Sequence, residues 1–311
     1  MPEIAVRTEE LTRDFASVRA VDGLSLEVEA GTVFGFLGPN GSGKTTTIRM
    51  LLGLLEPSAG RAEVLGFDTR TQSGQIRARS GALLENPGIY ERFSAEDNLE
   101  FYARIWRLGA RERRARIRQL LQHLGLWERR KETVVKWSRG MKQKLAVARA
   151  LIHRPSLIFL DEPTAGLDPV AAAALRADLE SLAAADGATV FLTTHHLAEA
   201  EKLCRRVAVI REGKLLAVGH PDELRSQRGG PKAEIIGRGF TQAVLAALRS
   251  LPLVASAEMQ NGRLSISFRG EADLAPVVTL LVSLGVEVEE VHKGKASLED
   301  VFLKLMEEEA T

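Results

Sequence analysis

A glycine-rich segment, GPNGSGKT from Gly38 to Thr45, carries residue types suited to binding phosphate. It follows the apolar run VFGFL and precedes a helical pattern, which is the setting of a P-loop. Glycines let successive backbone N–H groups converge on phosphate oxygens, Lys44 supplies a cation, and the Thr45 hydroxyl suits Mg²⁺. A purely structural glycine turn would not need Lys44. The phosphate-binding residues predicted here are Gly38, Pro39, Asn40, Gly41, Ser42, Gly43, Lys44, Thr45 and Thr46.

A second apolar run, LIFLDE from Leu157 to Glu162, ends in two carboxylates. By itself this pattern also fits a strand that ends in solvated acids. In a chain with a P-loop it favours Asp161 as a ligand of Mg²⁺ and Glu162 as the base that activates the attacking water. Because adjacent residues of a strand point in opposite directions, we expect the two carboxylates to do separate jobs.

The segment WSRGMKQ, from Trp137 to Gln143, stands where a loop turns into a helical pattern. Ser138 is suited to cap this helix, but Met141 stands where a capping box would have Glu or Gln. Free N–H groups, the helix dipole and Gly140 would together suit an anion such as phosphate. An ordinary serine cap with nothing bound is the alternative for this segment alone.

The composition limits the classes of protein to which the chain can belong. Its 311 residues predict about two domains, and 42 basic against 41 acidic residues give no electrostatic reason to expect nucleic acid as a partner. Cys204 is the only cysteine, which excludes an internal disulfide. No apolar stretch approaches the roughly 18 residues of a membrane-spanning helix. We therefore expect a cytoplasmic chain whose membrane role depends on a partner.

Apolar runs alternate with helical patterns up to about residue 228, which predicts an α/β fold with a mainly parallel, buried sheet. The predicted strands are LSLEV, VFGFL, GALL, LIFL, TVFLTT and VAVI, and TTTIRMLLGLL predicts a helix. Between Glu85 and Pro155 no strand pattern appears, while Ser94 and Asp97 form the start of a helix. We expect a helical subdomain over about 86–154. The basic run RERRARIR within it is interpreted as a solvated helix face.

The segment RSQRGGPK, from Arg225 to Lys232, marks a domain boundary, because Gly-Gly-Pro cannot continue a helix. It predicts domains at 1–228 and 229–311. The second domain has a β-α-β-β-α-β pattern with a turn at Asn261 and Gly262, which is typical of a small ferredoxin-like α+β fold. A closing helix repeats apolar residues at Leu298, Val301, Phe302 and Leu305, so it should bury one face.

Four motifs in this order, GPNGSGKT, SRGMKQ, LDEPTAGLD and TTH, resemble those of the nucleotide-binding subunit of an ABC transporter. The resemblance spans roughly Ile4 to Gln227. The ending SLEDVFLKL and the C-terminal domain resemble drug-efflux-type subunits that work with a separate ABC-2 permease. The resemblance implies a P-loop ABC ATPase cassette that uses ATP and Mg²⁺, and that dimerises with a second copy or a paralogous subunit. It also implies a location on the cytoplasmic face of the membrane and export of a drug, lipid or other hydrophobic compound.

The same resemblance assigns roles to residues outside the P-loop. Ser138 and Gly140 would cover the γ-phosphate bound by the partner chain, and Asp168 would reach across the dimer. Phe15 would stack on adenine, and His195 would contact the γ-phosphate and act in catalysis with Glu162 and Lys44. Each assignment has an alternative: a core phenylalanine, a capped histidine at a strand end, and a simple helix cap at Asp168.

Two positions depart from the family pattern. Arg139 occupies the first glycine position of the signature segment, and a left-handed backbone there would cost an arginine about 1 to 2 kcal/mol. We therefore expect a position that is not left-handed, with a tolerant side chain facing away from phosphate. Glu85 stands where the family usually has a Gln that touches Mg²⁺ and signals to the permease. A carboxylate there can bind Mg²⁺ but adds negative charge near the γ-phosphate.

Two competing functions are disfavoured by the sequence. A soluble ABC ATPase acting on nucleic acid or ribosomes usually has long coiled-coil insertions or two cassettes, whereas this chain has one cassette and no long heptad run. A binding module with an inactive nucleotide site is disfavoured because Lys44, Asp161, Glu162 and His195 are all present.

Overall fold

Strands and helices alternate along most of the chain, as the apolar runs predict. The computed structural model describes residues 3–226, 231–260, 263–270, 273–295 and 297–308. The strands of the N-terminal part are β1 (Ile4–Phe15), β2 (Val18–Glu29), β3 (Val33–Leu37), β4 (Ala59–Val64), β5 (Phe67–Asp68), β6 (Ser80–Leu83), β7 (Leu157–Asp161), β8 (Thr189–Thr194), β9 (Arg206–Arg211) and β10 (Lys214–Gly219). The helices there are α1 (Lys44–Leu51), α2 (Ser73–Arg79), α3 (Ala95–Ile105), α4 (Ala110–His123), α5 (Arg139–Leu151), α6 (Pro169–Asp186) and α7 (Leu197–Leu203).

A six-stranded sheet in the order β10-β9-β3-β8-β7-β6 carries the predicted site. Strands β6, β7, β8, β3 and β9 are parallel, and every residue of β7 and β8 is buried. Sheets covered on both faces favour such unbroken apolar runs. Because the carboxyl ends of parallel strands meet at one edge, the segments after β3, β6, β7 and β8 come together there. The predicted parallel α/β sheet is confirmed.

An antiparallel sheet in the order β2-β1-β4-β5 packs into the same core. Strand β1 was not predicted, because the alternation of its residues is interrupted. The pairing with β2 shifts register between Thr8 and Leu11, and Glu10 between them has a φ of 46°. Such a bulge moves the following side chains to the other face, so a period of two is lost.

Helix α1 is shorter than predicted. The sequence pattern continues through Leu55, but the helix ends at Leu51, and Gly53 adopts a φ of 60°. The N–H of Gly53 donates to the carbonyl of Met50 at 2.9 Å, and that of Leu54 donates to Arg49 at 2.9 Å. A left-handed glycine with such bonds terminates a helix.

The segment between β6 and β7 is helical, as predicted, and contains α3, α4 and α5. Ser94 caps α3 by accepting a hydrogen bond from the N–H of Asp97 at 3.1 Å, and its hydroxyl donates to that side chain at 2.6 Å. Among the described residues, no helix is long and apolar enough to cross a membrane.

The C-terminal part has the predicted β-α-β-β-α-β order. Its elements are α8 (Pro221–Leu224), β11 (Pro231–Arg238), α9 (Gln242–Arg249), β12 (Val254–Gln260), β13 (Arg263–Phe268), α10 (Ala275–Ser283), β14 (Glu287–Lys295) and α11 (Leu298–Glu308). The strands form an antiparallel sheet in the order β12-β13-β11-β14. The predicted turn at Asn261 and Gly262 lies outside the described residues, as do positions 227–230 of the predicted linker.

By internal contacts the chain divides into Met1–Val218 and Gly219–Thr311. The sequence places its boundary later, after residue 228, so α8 falls in the cassette by sequence and in the C-terminal unit by contacts. The reason is packing, because α8 contacts α11. Leu298, Val301 and Leu305 of α11 are buried, so that helix covers the predicted face within the chain itself.

Candidate nucleotide site

Glycine at position 43 fixes the shape of the P-loop. Gly43 has a φ of 101°, and a side chain there would collide with the carbonyl oxygen of Ala20. Helix α1 starts at the next residue without a side-chain cap and without an acidic residue in its first turn. Its first N–H groups are therefore available to an anion, as a phosphate-binding helix start requires.

Lys44 is buried at the base of this loop. Its Nζ donates to the carbonyl oxygens of Gly38 at 2.8 Å and Pro39 at 3.0 Å, and lies 3.2 Å from Oε1 of Glu162. The Lys44 side chain is 6% exposed, so its charge is neutralised mainly by the Glu162 carboxylate. This pairing links the P-loop to the end of β7.

Asp161, the last residue of β7, is a buried carboxylate held by two hydroxyls. Thr45 donates to its Oδ2 at 2.6 Å, and Thr193 donates to its Oδ1 at 2.5 Å. Asp161 is only 6% exposed. Even so, no cation pairs with its carboxylate in the part of the chain that the structure describes. A buried carboxylate beside a hydroxyl and without a cation fits a hard divalent ion such as Mg²⁺.

A left-handed backbone orients Glu162, which the strand pattern of β7 does not predict. Strand β7 ends at Asp161, and Glu162 has a φ of 50°, so strand alternation does not orient its side chain. Its N–H donates to the carbonyl and to the hydroxyl of Thr193, each at 3.1 Å. A left-handed non-glycine residue costs on the order of 1 to 3 kcal/mol and persists only where surrounding contacts hold it.

His195 follows β8 and holds the other oxygen of the Glu162 carboxylate. Its Nδ1 lies 2.8 Å from Oε2 of Glu162, and the side chain is 41% exposed. A hydrogen bond to an ionised carboxylate requires the proton on Nδ1, which leaves Nε2 of a neutral ring free to accept. Oε1 of Glu162 is buried beside Nζ of Lys44 and accepts no hydrogen bond within the described chain.

Glu85 follows β6 and lies on the wall of the same cavity. Its carboxylate is 72% exposed and pairs with Arg49 of α1 at 3.2 Å. Only one of its oxygens, Oε2, pairs with Arg49 in the described part of the chain.

Most of these residues line a cavity of about 560 Å³, but His195 is not on its wall. Its wall contains Asn40, Gly41, Gly43, Lys44, Thr45, Thr46, Arg49, Glu85, Arg139, Gln143, Asp161 and Glu162. Most of the predicted P-loop residues and all three predicted metal ligands therefore meet in one place. The buried hydroxyl of Ser42 neither donates nor accepts a hydrogen bond within the described part of the chain. The volume lies within the range of small-molecule sites.

Phe15 lies outside the cavity wall. It is the last residue of β1 and is 41% exposed. The guanidinium carbon of Arg13 lies 4.6 Å from the centroid of its ring. It is therefore not a core residue.

Ser138 and Asp168 also lie outside the wall of their own chain's cavity. Ser138 caps α5 by accepting a hydrogen bond from the N–H of Met141 at 3.3 Å. Asp168 caps α6 by accepting from Val170 at 3.1 Å and Ala171 at 2.9 Å. Gly140 lies in the first turn of α5, which begins at Arg139.

Arg139 adopts helical geometry, as expected, but its side chain does not face away from the site. Side chains tilt toward the start of a helix, so the guanidinium of this first residue of α5 extends over the loop after Glu162. It lies on the cavity wall and occupies the space that a side chain on Gly166 would need. The expectation of an outward-facing Arg139 is wrong.

Sequence reasoning missed three residues that shape the site. Thr193 holds both Asp161 and Glu162, Arg49 pairs with Glu85, and Gln143 donates to the carbonyl of Pro163 at 2.7 Å. Thr193 and Gln143 carried a signal, since they belong to the TTH and SRGMKQ motifs. Their contacts, and the pairing of Arg49, depend on which segments meet at the sheet edge.

Comparisons with known proteins identify relatives of the chain. The family model described as ABC transporter matches residues 21–165. The chain is 39% identical to the daunorubicin resistance ATP-binding protein DrrA3 of Streptomyces coeruleorubidus, over 98% of this chain and 96% of that protein. It is 37% identical to the bacitracin transport ATP-binding protein BcrA of Bacillus licheniformis, over 97% of each.

A third relative is the Nod factor export ATP-binding protein I of Paraburkholderia xenovorans, 38% identical over 98% of each chain. Among solved structures, an ATP-binding subunit of an ABC transporter is 31% identical with a TM-score of 0.65, and the match covers 72% of this chain and 93% of that one. The cbiO1 protein of Clostridium perfringens, part of the ABC transporter complex cbiONQ, is 25% identical with a TM-score of 0.67, covering 80% and 96%.

Proposed function

The chain belongs to the ATP-binding subunits of ABC transporters, and we propose that it powers an ABC-2-type permease that exports a drug, a lipid or another hydrophobic compound. As such a subunit it binds ATP and couples ATP hydrolysis to transport. The proposal of export is supported by the relatives described as resistance, bacitracin transport and Nod factor export proteins. They match along nearly the whole chain, whereas the family model ends at residue 165.

The observation that carries the proposed chemistry is the contact of Glu162 with both Lys44 and His195. Lys44 lies against Glu162 and two P-loop carbonyls, so phosphates entering the cavity would compete with the carboxylate for its charge. Once Lys44 pairs with phosphate, Glu162 is free to accept a proton from the attacking water, while His195 holds its Oε2. Mg²⁺, held by Thr45 and Asp161, would neutralise phosphate charge.

We propose that the complete site forms between two copies of the chain, or between this chain and a paralogue. Ser138, Gly140 and Asp168 are absent from the cavity wall of their own chain and would complete the site of the partner. Phe15 would stack on adenine with the ring face that Arg13 leaves uncovered. Glu85 would sense the metal ion and relay nucleotide state to the permease, in competition with its bond to Arg49.

The cassette would span residues 1–228, with its helical subdomain at about 86–154, and the accessory α+β domain would span 229–311. The chain would lie on the cytoplasmic face of the membrane through its permease, without a nucleic acid partner.

The test is to purify the tagged chain from membranes of its own cells with and without a cross-linker, and to identify attached proteins by mass spectrometry. A polytopic membrane protein should co-purify, and cells expressing both should export a hydrophobic dye faster than cells expressing the permease with the Lys44→Ala chain. If no membrane protein co-purifies and the wild-type chain does not increase export, the proposed coupling to an exporter is wrong.

A further inference from the structure

One carboxylate near the site has no part in the chemistry proposed above, yet it joins three segments of the chain. Glu199 lies in the first turn of α7. Its Oε2 accepts a hydrogen bond from the hydroxyl of Thr164 at 2.9 Å, and its Oε1 accepts one from the guanidinium of Arg176 in α6. The Glu199 carboxylate therefore ties α7 both to α6 and to the loop between β7 and α6, residues 162–168.

These contacts are largely shielded from water. Thr164 is 5% exposed, and the side chains of Arg176 and Glu199 are 24% and 18% exposed. Because the ion pair is mostly removed from water and shares its carboxylate with a buried hydroxyl, it holds its partners more firmly than an exposed pair would. None of the three residues lies on the wall of the nucleotide cavity. Their contacts therefore act on the loop and not on a bound nucleotide.

The two ends of this loop serve different sites in the proposed dimer. Glu162, at its start, lies on the cavity wall of its own chain. It is held there by His195 at 2.8 Å and by two hydrogen bonds from its N–H to Thr193. Asp168, at its end, caps α6 and is proposed to complete the site of the partner. The start of the loop thus has supports that do not involve Glu199.

Glu199 supports the other end of the loop from both sides of Asp168. Before Asp168, the N–H of Leu167 donates to the carbonyl of Thr164 at 3.2 Å, so a contact that fixes Thr164 also fixes the turn that leads to Asp168. After Asp168, Arg176 lies about two turns along the helix that Asp168 caps. The same carboxylate therefore holds the segments that flank Asp168.

We propose that Glu199 is a positioning residue for the nucleotide site of a second copy of the chain, because it fixes the Asp168 that this site receives. The inference rests on the proposed dimeric site and adds to it a residue that touches neither nucleotide. Loss of Glu199 should slow hydrolysis in the partner's site. The site of its own chain should be spared, because its Glu162 keeps the bonds to His195 and Thr193.

The experiment uses mixed dimers in which Glu162→Gln silences one of the two sites. Two full-length chains with different affinity tags are co-expressed and purified on both tags in succession, in the presence of ATP. In the separate arrangement, one chain carries Glu162→Gln and the other Glu199→Ala, so the surviving site receives Asp168 from a chain with an intact Glu199. In the joint arrangement, one chain carries both changes and the other is wild type, so the surviving site receives Asp168 from the altered chain.

Phosphate release by both dimers is compared with that of a reference dimer that carries only Glu162→Gln in one chain. The separate arrangement should stay within about 2-fold of the reference and the joint arrangement should be about 10-fold slower, since a displacement of about 1 Å can cost up to about 10²-fold. The KM for ATP should be the same in both, because Glu199 does not line the cavity. A loss in the separate arrangement, or equal rates in the two arrangements, would overturn the inference.

The same two arrangements with Asp168→Ala in place of Glu199→Ala test the proposed dimeric site itself. Equal rates for these two dimers, or failure of the two tags to co-purify, would overturn the dimeric site. A difference between the arrangements for Asp168→Ala but not for Glu199→Ala would leave that site standing and overturn only the role of Glu199.

Dimers of identical chains give a second measurement that does not depend on a silenced site. Glu199→Ala should add little to the loss in Asp168→Ala, because it acts through that residue, and additive losses would contradict the inference. Thr164→Val, which removes the hydroxyl, should slow hydrolysis as Glu199→Ala does, whereas Thr164→Ser should match the wild type. Glu180→Ala, which removes a carboxylate from an exposed position of α6, is the matched control and should also match the wild type.

Discussion

Replacing Glu162 by Gln tests the proposed base with little change in shape. The side chain is 21% exposed, its Oε1 lies 3.2 Å from Nζ of Lys44, and its Oε2 lies 2.8 Å from Nδ1 of His195. Gln keeps the volume and one oxygen acceptor but cannot take a proton from water. Loss of a positioned acid–base group lowers turnover by about 10² to 10⁴, equivalent to roughly 3 to 5 kcal/mol in the activation barrier.

ATP binding should survive this change. The carboxylate competes with phosphate for Lys44, so its replacement by a neutral amide removes a competitor and not a ligand. We therefore expect a large fall in kcat with retained ATP affinity, and a dimer that accumulates in the presence of ATP because it does not hydrolyse the nucleotide. A backbone held at a φ of 50° accommodates Gln about as well as Glu, so the fold should be unchanged.

The assay is phosphate release under steady-state conditions, combined with nucleotide binding and size-exclusion chromatography with and without ATP. Glu128→Gln, an equivalent change at an exposed residue of the helical subdomain, is the control and should behave as the wild type. A Glu162→Gln chain that hydrolyses ATP at the wild-type rate would refute the assignment of the base. Parallel loss of hydrolysis and ATP binding would show that Glu162 maintains the site and does not act in the chemical step.

Three further predictions concern other parts of the chain. Glu85→Gln should preserve basal hydrolysis better than transport, because it removes the ion pair with Arg49 but keeps an oxygen for the metal ion; a parallel fall of both rates would make Glu85 a simple catalytic ligand. The ring of His153 stacks on that of Trp106, with the centroids 3.9 Å apart, and burial lowers the pKa of His153 from 6.5 to about 4. The unfolded chain therefore binds this proton at a higher pH than the folded chain does. As a result, the free energy of unfolding falls as the pH drops from about 6.5 to 4. Urea unfolding should show a loss of about 2 to 3 kcal/mol in the free energy of unfolding over this pH range, and a smaller loss in His153→Gln. If His153→Gln showed the same pH dependence of stability as the wild type, the prediction would be contradicted. Burial also raises the pKa of the Cys204 thiol to about 12, so a thiol reagent should modify the native chain only as fast as it unfolds, and rapid labelling without denaturant would refute this.

The P-loop and the parallel sheet could be predicted because their signals are local. In the segment from Gly38 to Thr45, the residues that bind and the residues that shape the loop are adjacent in the chain. The strands LIFL and TVFLTT are buried along their whole length because both faces of the sheet are covered. β1 escaped prediction because its bulge at Glu10 breaks the local period on which such reasoning depends.

The sequence by itself determined the chemical groups of the site, their order along the chain and the family to which the chain belongs. The tertiary structure decided their pairing. Glu162 is oriented by a left-handed backbone and two bonds from Thr193, which no strand pattern predicts. Arg139 faces the nucleotide cavity because α5 packs against the loop at Gly166, 27 positions away in sequence. Side-chain direction and charge pairing depend on contacts between distant segments, and those contacts exist only once the chain has folded.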